Sequence, residues 1–231
     1  MARRFYGWHI HLGSRPYEAA LEWQVRMVRY RRTGIIRDTL FYMEHPDVVT
    51  IGRDEPEGET VRLTDVEVFR ISRGGGFTFH GPGQLVIYPV FDLDRRGRDL
   101  HQFIRDIEEG IIRTFGAYGL SCRRHEKHTG VWVENRKIAS IGIAVEHWIS
   151  FHGAAVNLTT DLSKFKMINP CGLTPDVMTS AQKELGRDIS QLDFAGKLSE
   201  AYADIFDTAF NEISLDELAE MVQAEESSQS L

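Results

Sequence analysis

The sequence predicts an α+β domain in which a mixed, largely antiparallel sheet is covered by helices, and three observations lead there. Short β-type runs come in pairs across tight turns, at His45-Pro46-Asp47 and at Asn135-Arg136. Between the pairs, Leu100 to Tyr118 carries Phe103, Ile104, Ile107, Ile111, Ile112 and Phe115 at helical spacing. A further helical pattern closes the chain, so hairpins and helices share one layered domain.

Taken in order, a strand over Tyr6 to Leu12 passes through Gly13-Ser14-Arg15-Pro16 into a helix with Leu21, Val25 and Val28 on one face. Strands over Thr39 to Glu44 and Val48 to Gly52 follow, and the charged stretch 54–64 reads as loop. A strand near Val68 to Ser72 leads into the glycine-dense run Arg73 to Gln84 and then the apolar strand Leu85 to Phe91. The long helix stops at Gly119, a residue suited to the left-handed turn that ends helices. Strands over Gly130 to Glu134, Lys137 to Glu146 and Trp148 to Leu158 come next. From about Ser190 the chain reads as helix to its end. One domain is expected over 1–212 and an acidic helical tail over 213–231, its tip from Glu225 to Leu231 too polar to order.

The 231 residues suffice for one full core. No apolar run reaches membrane-spanning or signal-peptide length, and Cys122 and Cys171 have neither disulfide-scaffold nor metal-ligand spacing, which points to a reducing cytoplasm. Nine acidic residues follow Lys197; removing their −9 from the net −7 leaves +2 on 1–197. Arg26, Arg29, Arg31, Arg32 and Arg37 cluster with no acid between them, either docking an acidic partner or forming a solvated helix face. The dense basic and aromatic pattern of a nucleic-acid binder is missing.

Chemistry concentrates in four places. Cys171, in Asn169-Pro170-Cys171-Gly172, sits where Pro and Gly force a turn with little bulk around the sulfur, a setting for a nucleophile or simply a structural turn. Cys122 opens a strand and reads as an inert thiol. A working thiolate needs a cation or base beside it. Strand alternation puts Lys137 on the apolar face of Ala139, Ile141, Ile143 and Val145, where it either has its pKa lowered by desolvation or snorkels to water. Ser140, Gly142 and Ala144 on one strand, with Gly153 and Ala155 on the next, form either an apolar slot for a straight chain or a close strand contact. Gly74 to Gly76 let the backbone approach a ligand, with N–H groups suited to a developing oxyanion, and the run lacks the pattern of a nucleotide loop. His80 and His152 each precede a glycine and either line a site or are buried and hydrogen-bonded.

Together, Arg73-Gly74-Gly75 with Thr78 and His80-Gly81-Pro82-Gly83-Gln84, then Lys137 to Gly142, Phe151-His152-Gly153 with Asn157-Leu158, and Asn169 to Gly172 resemble the lipoate-biosynthesis octanoyltransferases. Thr50-Ile51-Gly52-Arg53 and Gly130-Val131-Trp132-Val133 extend the likeness over about residues 40 to 180. The resemblance implies a fold like the catalytic domain of biotin and lipoate protein ligases. It implies transfer of octanoyl from acyl carrier protein to one lysine of lipoyl domains, those of 2-oxoacid dehydrogenase E2 subunits and the glycine cleavage H protein. On that pattern Cys171 is the thioester nucleophile and Lys137 lowers its pKa and shuttles protons. Arg73, Gly74, Gly75, Gly76, Phe77, Thr78, Phe79 and His80, with Ser140, Ile141, Gly142, Gly153, Ala154 and Ala155, line the acyl group, and His152 and Gln84 support them. The donor carries phosphopantetheine, and neither ATP nor a metal is expected. Ala144 departs from the pattern where a basic residue is expected, and the acidic tail lies outside it. An ATP-dependent ligase would share the fold without needing Cys171, a transferase between lipoyl domains would change only the donor, and a non-catalytic binding module would show no turnover.

Overall fold

The computed structural model describes residues 4–55, 66–168 and 177–228. In chain order the large sheet is built from β1 (Phe5–Ser14), β2 (Asp38–Glu44), β6 (Gln84–Val90), β7 (Arg123–Arg124), β8 (Val131–Val133), β9 (Arg136–Glu146), β10 (Ile149–Asn157) and β11 (Thr208–Glu212). They lie side by side as β11-β1-β2-β6-β10-β9-β8-β7. A small sheet has the order β4 (Glu67–Arg70), β3 (Val48–Ile51), β5 (Phe77–His80). The expected mixed sheet is present: β1 runs parallel to β2 and β11, and every other pairing in the large sheet is antiparallel.

Alternation along β6 shows how the sheet separates two cores. Leu85 and Ile87 join one cluster with Phe103, Ile107 and Ile111 of α2 (Leu100–Ala117) and Phe194, Leu198 and Tyr202 of α4 (Gln191–Ile205). Val86, Tyr88 and Val90 join the other with Ala20, Met27 and Val28 of α1 (Tyr17–Thr33) and Leu218 and Val222 of α5 (Leu215–Ser228). A short helix, α3 (Ala181–Leu185), packs Ala181 on the α2 side. The small sheet adds a third cluster of Val49, Ile51, Phe77, Phe79, Phe165, Ile168 and Met178. Helix ends follow their caps: Asp99 accepts the Gln102 N–H at 2.9 Å, and Gly119 takes a left-handed φ just past α2.

Three expectations need correction. The chain after Ser190 is not one helix, because β11 interrupts it and pairs with β1 at the sheet edge. Its five residues are too short to carry a strand signature, and their partner lies two hundred residues away. Val25 is 56% exposed, while Val28 is buried as expected, and α1 also buries Tyr17, Ala20, Gln24, Met27, Tyr30 and Arg31, a face interrupted by polar residues. Arg31 therefore leaves the basic cluster. Its guanidinium is buried against Asp38 at 2.7 Å and Asp92 at 3.4 Å, and Arg96 closes on Asp38 from the other side at 2.6 Å. The remaining four arginines of that cluster are exposed. The acidic tail docks by Leu218 and Val222 and is helical through Ser228, so residues 225–228 of the tip, expected to lack order, continue the helix; residues 229–231 lie outside the described residues.

Candidate active site

The position of Lys137 turns on one irregularity. On β8, Val131 and Trp132 are neighbours, whereas their partners on β9 are Ala139 and Lys137, so Ile138 is an extra residue in the ladder. Such a bulge reverses the alternation beyond it. Val131 and Ala139 point to the α2 side, and Lys137 shares the opposite face with Trp132. The expectation that Lys137 heads the Ala139 and Ile141 face is therefore wrong. It lies on the Ser140 and Gly142 face, 7% exposed, with Nζ 5.7 Å from the centre of the Trp132 ring.

Gly130 makes room for it. Its φ is +130°, and a Cβ there would stand 2.6 Å from Lys137 Cε and 2.5 Å from the Ala139 carbonyl oxygen. Glu108 of α2, 1% exposed, holds this backbone in place by accepting the Gly130 N–H at 3.0 Å, while its other oxygen takes Arg105 at 3.1 Å and Arg124 at 3.2 Å.

Lys137 opens on a slot between the two sheets with about 620 Å³ of free space, part of it open to solvent. Of the residues expected to surround an acyl group, Arg73, Gly74, Gly75, Phe77, Thr78, His80, Ser140, Ile141, Gly142, Gly153, Ala154 and Ala155 line it, as does His152. Gly76, Phe79 and Gln84 do not. Gly76 accepts the Gly52 N–H through its carbonyl, and Phe79 turns its ring edge-on to Phe165 on the far side of the small sheet. Gln84 works behind the wall: its amide donates to Asn157 Oδ1 at 3.0 Å and to the Phe79 carbonyl at 3.2 Å, and its oxygen lies 2.7 Å from His80 Nδ1. Since that oxygen only accepts, Nδ1 carries the His80 proton. Tyr17, Ile71, Val86, Tyr88 and Met178 also line the slot and were not singled out from sequence. Val86 and Tyr88 were legible as alternate residues of an apolar strand; Tyr17, at the foot of a helix, carried no signal.

The small residues serve protein as well as cavity. A Cβ on Gly153 would meet the Ile87 carbonyl oxygen of β6, and one on Gly142 would come within 2.9 Å of Arg73 Cδ and the Gly74 carbonyl oxygen. Close contact of backbone with backbone is thus part of what these glycines allow. Arg73 is pinned across the gap, Nη2 donating to the Thr50 carbonyl and hydroxyl at 2.9 Å each. The Gly74 and Gly75 amides donate within the protein, Gly75 to Asp54 Oδ2 at 2.6 Å and Gly74 to the Ile143 carbonyl at 3.4 Å.

Electrostatically the slot is a place for neutral imidazoles. Burial, then His45 nearby, lowers the His80 pKa to about 3, and burial followed by the Arg73 charge lowers His152 to about 3. Cys122 is pushed up to about 12, chiefly by burial and then by Glu184, as expected of an inert thiol. Cys171, with Asn169, Pro170 and Gly172, lies outside the described residues. The described residues continue from Val177, and Met178 bridges Lys137 in parallel register with the Thr179 N–H donating to the Lys137 carbonyl at 3.0 Å. Among the described residues no cluster of three or more His, Cys, Asp or Glu could hold a metal ion, and no helix is long and apolar enough to cross a membrane.

Residues 16–203 match the family described as the lipoyl protein ligase A/B catalytic domain. The chain belongs to that family. It is 48% identical over 185 residues to the octanoyltransferase of Rubrobacter xylanophilus, covering 77% of this chain and 83% of that one. Members of this family are acyltransferases, and so is this chain. Among solved structures, a lipoate-protein ligase A bound with ATP superposes with a TM-score of 0.76 at 18% identity, covering 95% of this chain and 94% of that one. A bipartite lipoate protein ligase from Thermoplasma acidophilum, studied with its E2 lipoyl domain, gives 0.73 at 18% identity over 96% and 92%. At such identities the two structures show the shared fold alone, and that fold is the lipoate-ligase one the sequence led us to expect.

Proposed function

We propose that the protein moves an octanoyl group from the phosphopantetheine thioester of an acyl carrier protein to a lysine of a lipoyl domain, through a thioester on Cys171. The observation that carries this reading is the placement of Lys137: buried, turned by the Ile138 bulge toward the slot, and seated against Gly130. Ile168, the last described residue before Cys171, shares a cluster with Phe77 and Met178, and both of these line the slot. The described residues on either side of the segment that carries Cys171 thus lie beside the slot, which supports a meeting of thiol and lysine.

The chemistry follows from the two groups. The Cys171 thiolate attacks the thioester carbonyl, and the carbon–sulfur bond to phosphopantetheine breaks as Lys137 protonates the departing thiolate. The acceptor lysine amine then attacks the acyl-enzyme, Lys137 takes the amine proton, and the Cys171 thiolate is released. Thioester exchange is nearly isoenergetic and amide formation is downhill, so the reaction needs neither ATP nor a metal. Lipoyl domains of 2-oxoacid dehydrogenase E2 subunits and the glycine cleavage H protein are the acceptors, and the cytoplasm is the compartment. Arg26, Arg29, Arg32 and Arg37, exposed on and after α1, offer an acidic carrier protein a docking face.

The test is incubation with octanoyl-acyl carrier protein without ATP, read by intact mass and peptide mapping. One hydroxylamine-labile octanoyl group on Cys171, removed by a lipoyl domain, is expected. An unmodified protein that transfers only from free octanoate with ATP would replace this reading with a ligase.

A further inference from the structure

His152 stands out on three independent counts. Its φ is +56°, in the left-handed region that few non-glycine residues adopt, and among the described non-glycine residues with positive φ it is the one that lines the slot. It is 2% exposed and its Nδ1 has no hydrogen-bond partner, although it lines the slot. It is also clamped from both sides. Its N–H donates to Gln24 Oε1 of α1 at 2.9 Å, and its Nε2 lies 3.4 Å from Ser72 Oγ, just before the glycine run. The imidazole therefore spans from the large sheet to the segment above it.

The strand ladder places this ring relative to Lys137. A Cβ on Gly130 would stand 3.4 Å from Nζ, and Gly130 directly precedes Val131, the partner of Ala139. The ammonium thus sits about level with Ser140. His152 pairs with Ile143, three residues farther along β9, or about 10 Å at about 3.3 Å per residue. With carbon–carbon bonds of about 1.5 Å, an extended octanoyl chain spans about 9 Å from carbonyl carbon to methyl. Between the two levels the wall is made of the small pairs Ser140 with Ala155 and Gly142 with Gly153.

We infer that His152 is a specificity-determining residue that ends the acyl slot and limits the accepted chain to about octanoyl length. The inference rests on the acyl-transfer reading above. A longer chain would have to displace a ring whose backbone, amide and Nε2 are all held, and to press methylene groups against an unpaired buried nitrogen.

The experiment measures kcat/KM of the full chain with octanoyl-, decanoyl- and dodecanoyl-acyl carrier protein, using a lipoyl domain as acceptor. His152→Gly accepts the left-handed φ without strain, and His152→Asn tolerates it. In the unaltered protein decanoyl should run at least tenfold below octanoyl. Both variants should raise the decanoyl-to-octanoyl ratio at least tenfold, glycine more than asparagine; should one fail to fold, the other decides. A ratio unmoved in the folded variants overturns the inference, as does an equal loss on all three chains with the melting temperature preserved. Those failures are distinct from failure of the parent reading, which would show as no octanoyl adduct on Cys171 in the unaltered protein.

Discussion

Lys137 and Gly130 form one device at the scale of single residues. The lysine must exchange a proton, and arginine, charged at all accessible pH, cannot do so. Lys137→Arg and Lys137→Ala are both expected to slow acylation of the protein by about 10²- to 10⁴-fold, with the melting temperature little changed in the arginine variant. Rapid-quench mass measurement of the octanoyl adduct checks this, and an arginine variant at full speed would remove Lys137 from the proton transfers. Gly130→Ala tests position separately from chemistry. Its Cβ would stand 2.6 Å from Lys137 Cε, so the lysine must shift. A displacement of about 1 Å typically costs about 100-fold in rate, and a Gly130→Ala protein with unaltered kcat would show that Gly130 does not set where Lys137 acts.

Among elements, the bulge on β9 decides more than any helix. Strand alternation has a period of two, so one extra residue at Ile138 exchanges which face Lys137 occupies. The sequence displayed the hairpin from Gly130 to Leu158, the glycine run and the core helix with Phe103 to Phe115, because each has a local pattern. It also brought Lys137, Ser140, Gly142 and Gly153 to notice. The bulge left no mark, since register depends on which residues of β8 stand opposite. Arg31 misled for a related reason: Asp92, sixty-one residues on, takes part in burying its charge. Strand β11 was illegible because its stability comes from the edge of β1. Truncation after Asp207 should expose that edge, remove Leu218 and Val222 from their cluster, and drive self-association. Size-exclusion chromatography with light scattering checks this, and a soluble monomer with native circular dichroism would show that neither element is needed.

For the whole molecule, the buried imidazoles make stability depend on acid. His80 and His152 are held neutral down to about pH 3, against about 6.5 in an unfolded chain, and burial lowers His45 as well. Between those limits the unfolded state binds more protons, so their contribution is complete above pH 6.5 and is lost as pH falls toward 3. Urea midpoints should drop between pH 7.5 and pH 5, and His80→Gln should flatten that slope whatever it does to absolute stability. An unchanged slope would show that His80 does not carry the dependence. The same molecule has a strand, β10, in which every residue from Ile149 to Asn157 is buried, between cores on both faces. In hydrogen–deuterium exchange its amides should be among the last to open, at rates tracking global unfolding. One wall of the slot is then a fixed gauge, and a molecule that is to admit another guest must change the gauge itself or move the thin three-stranded cover laid against it.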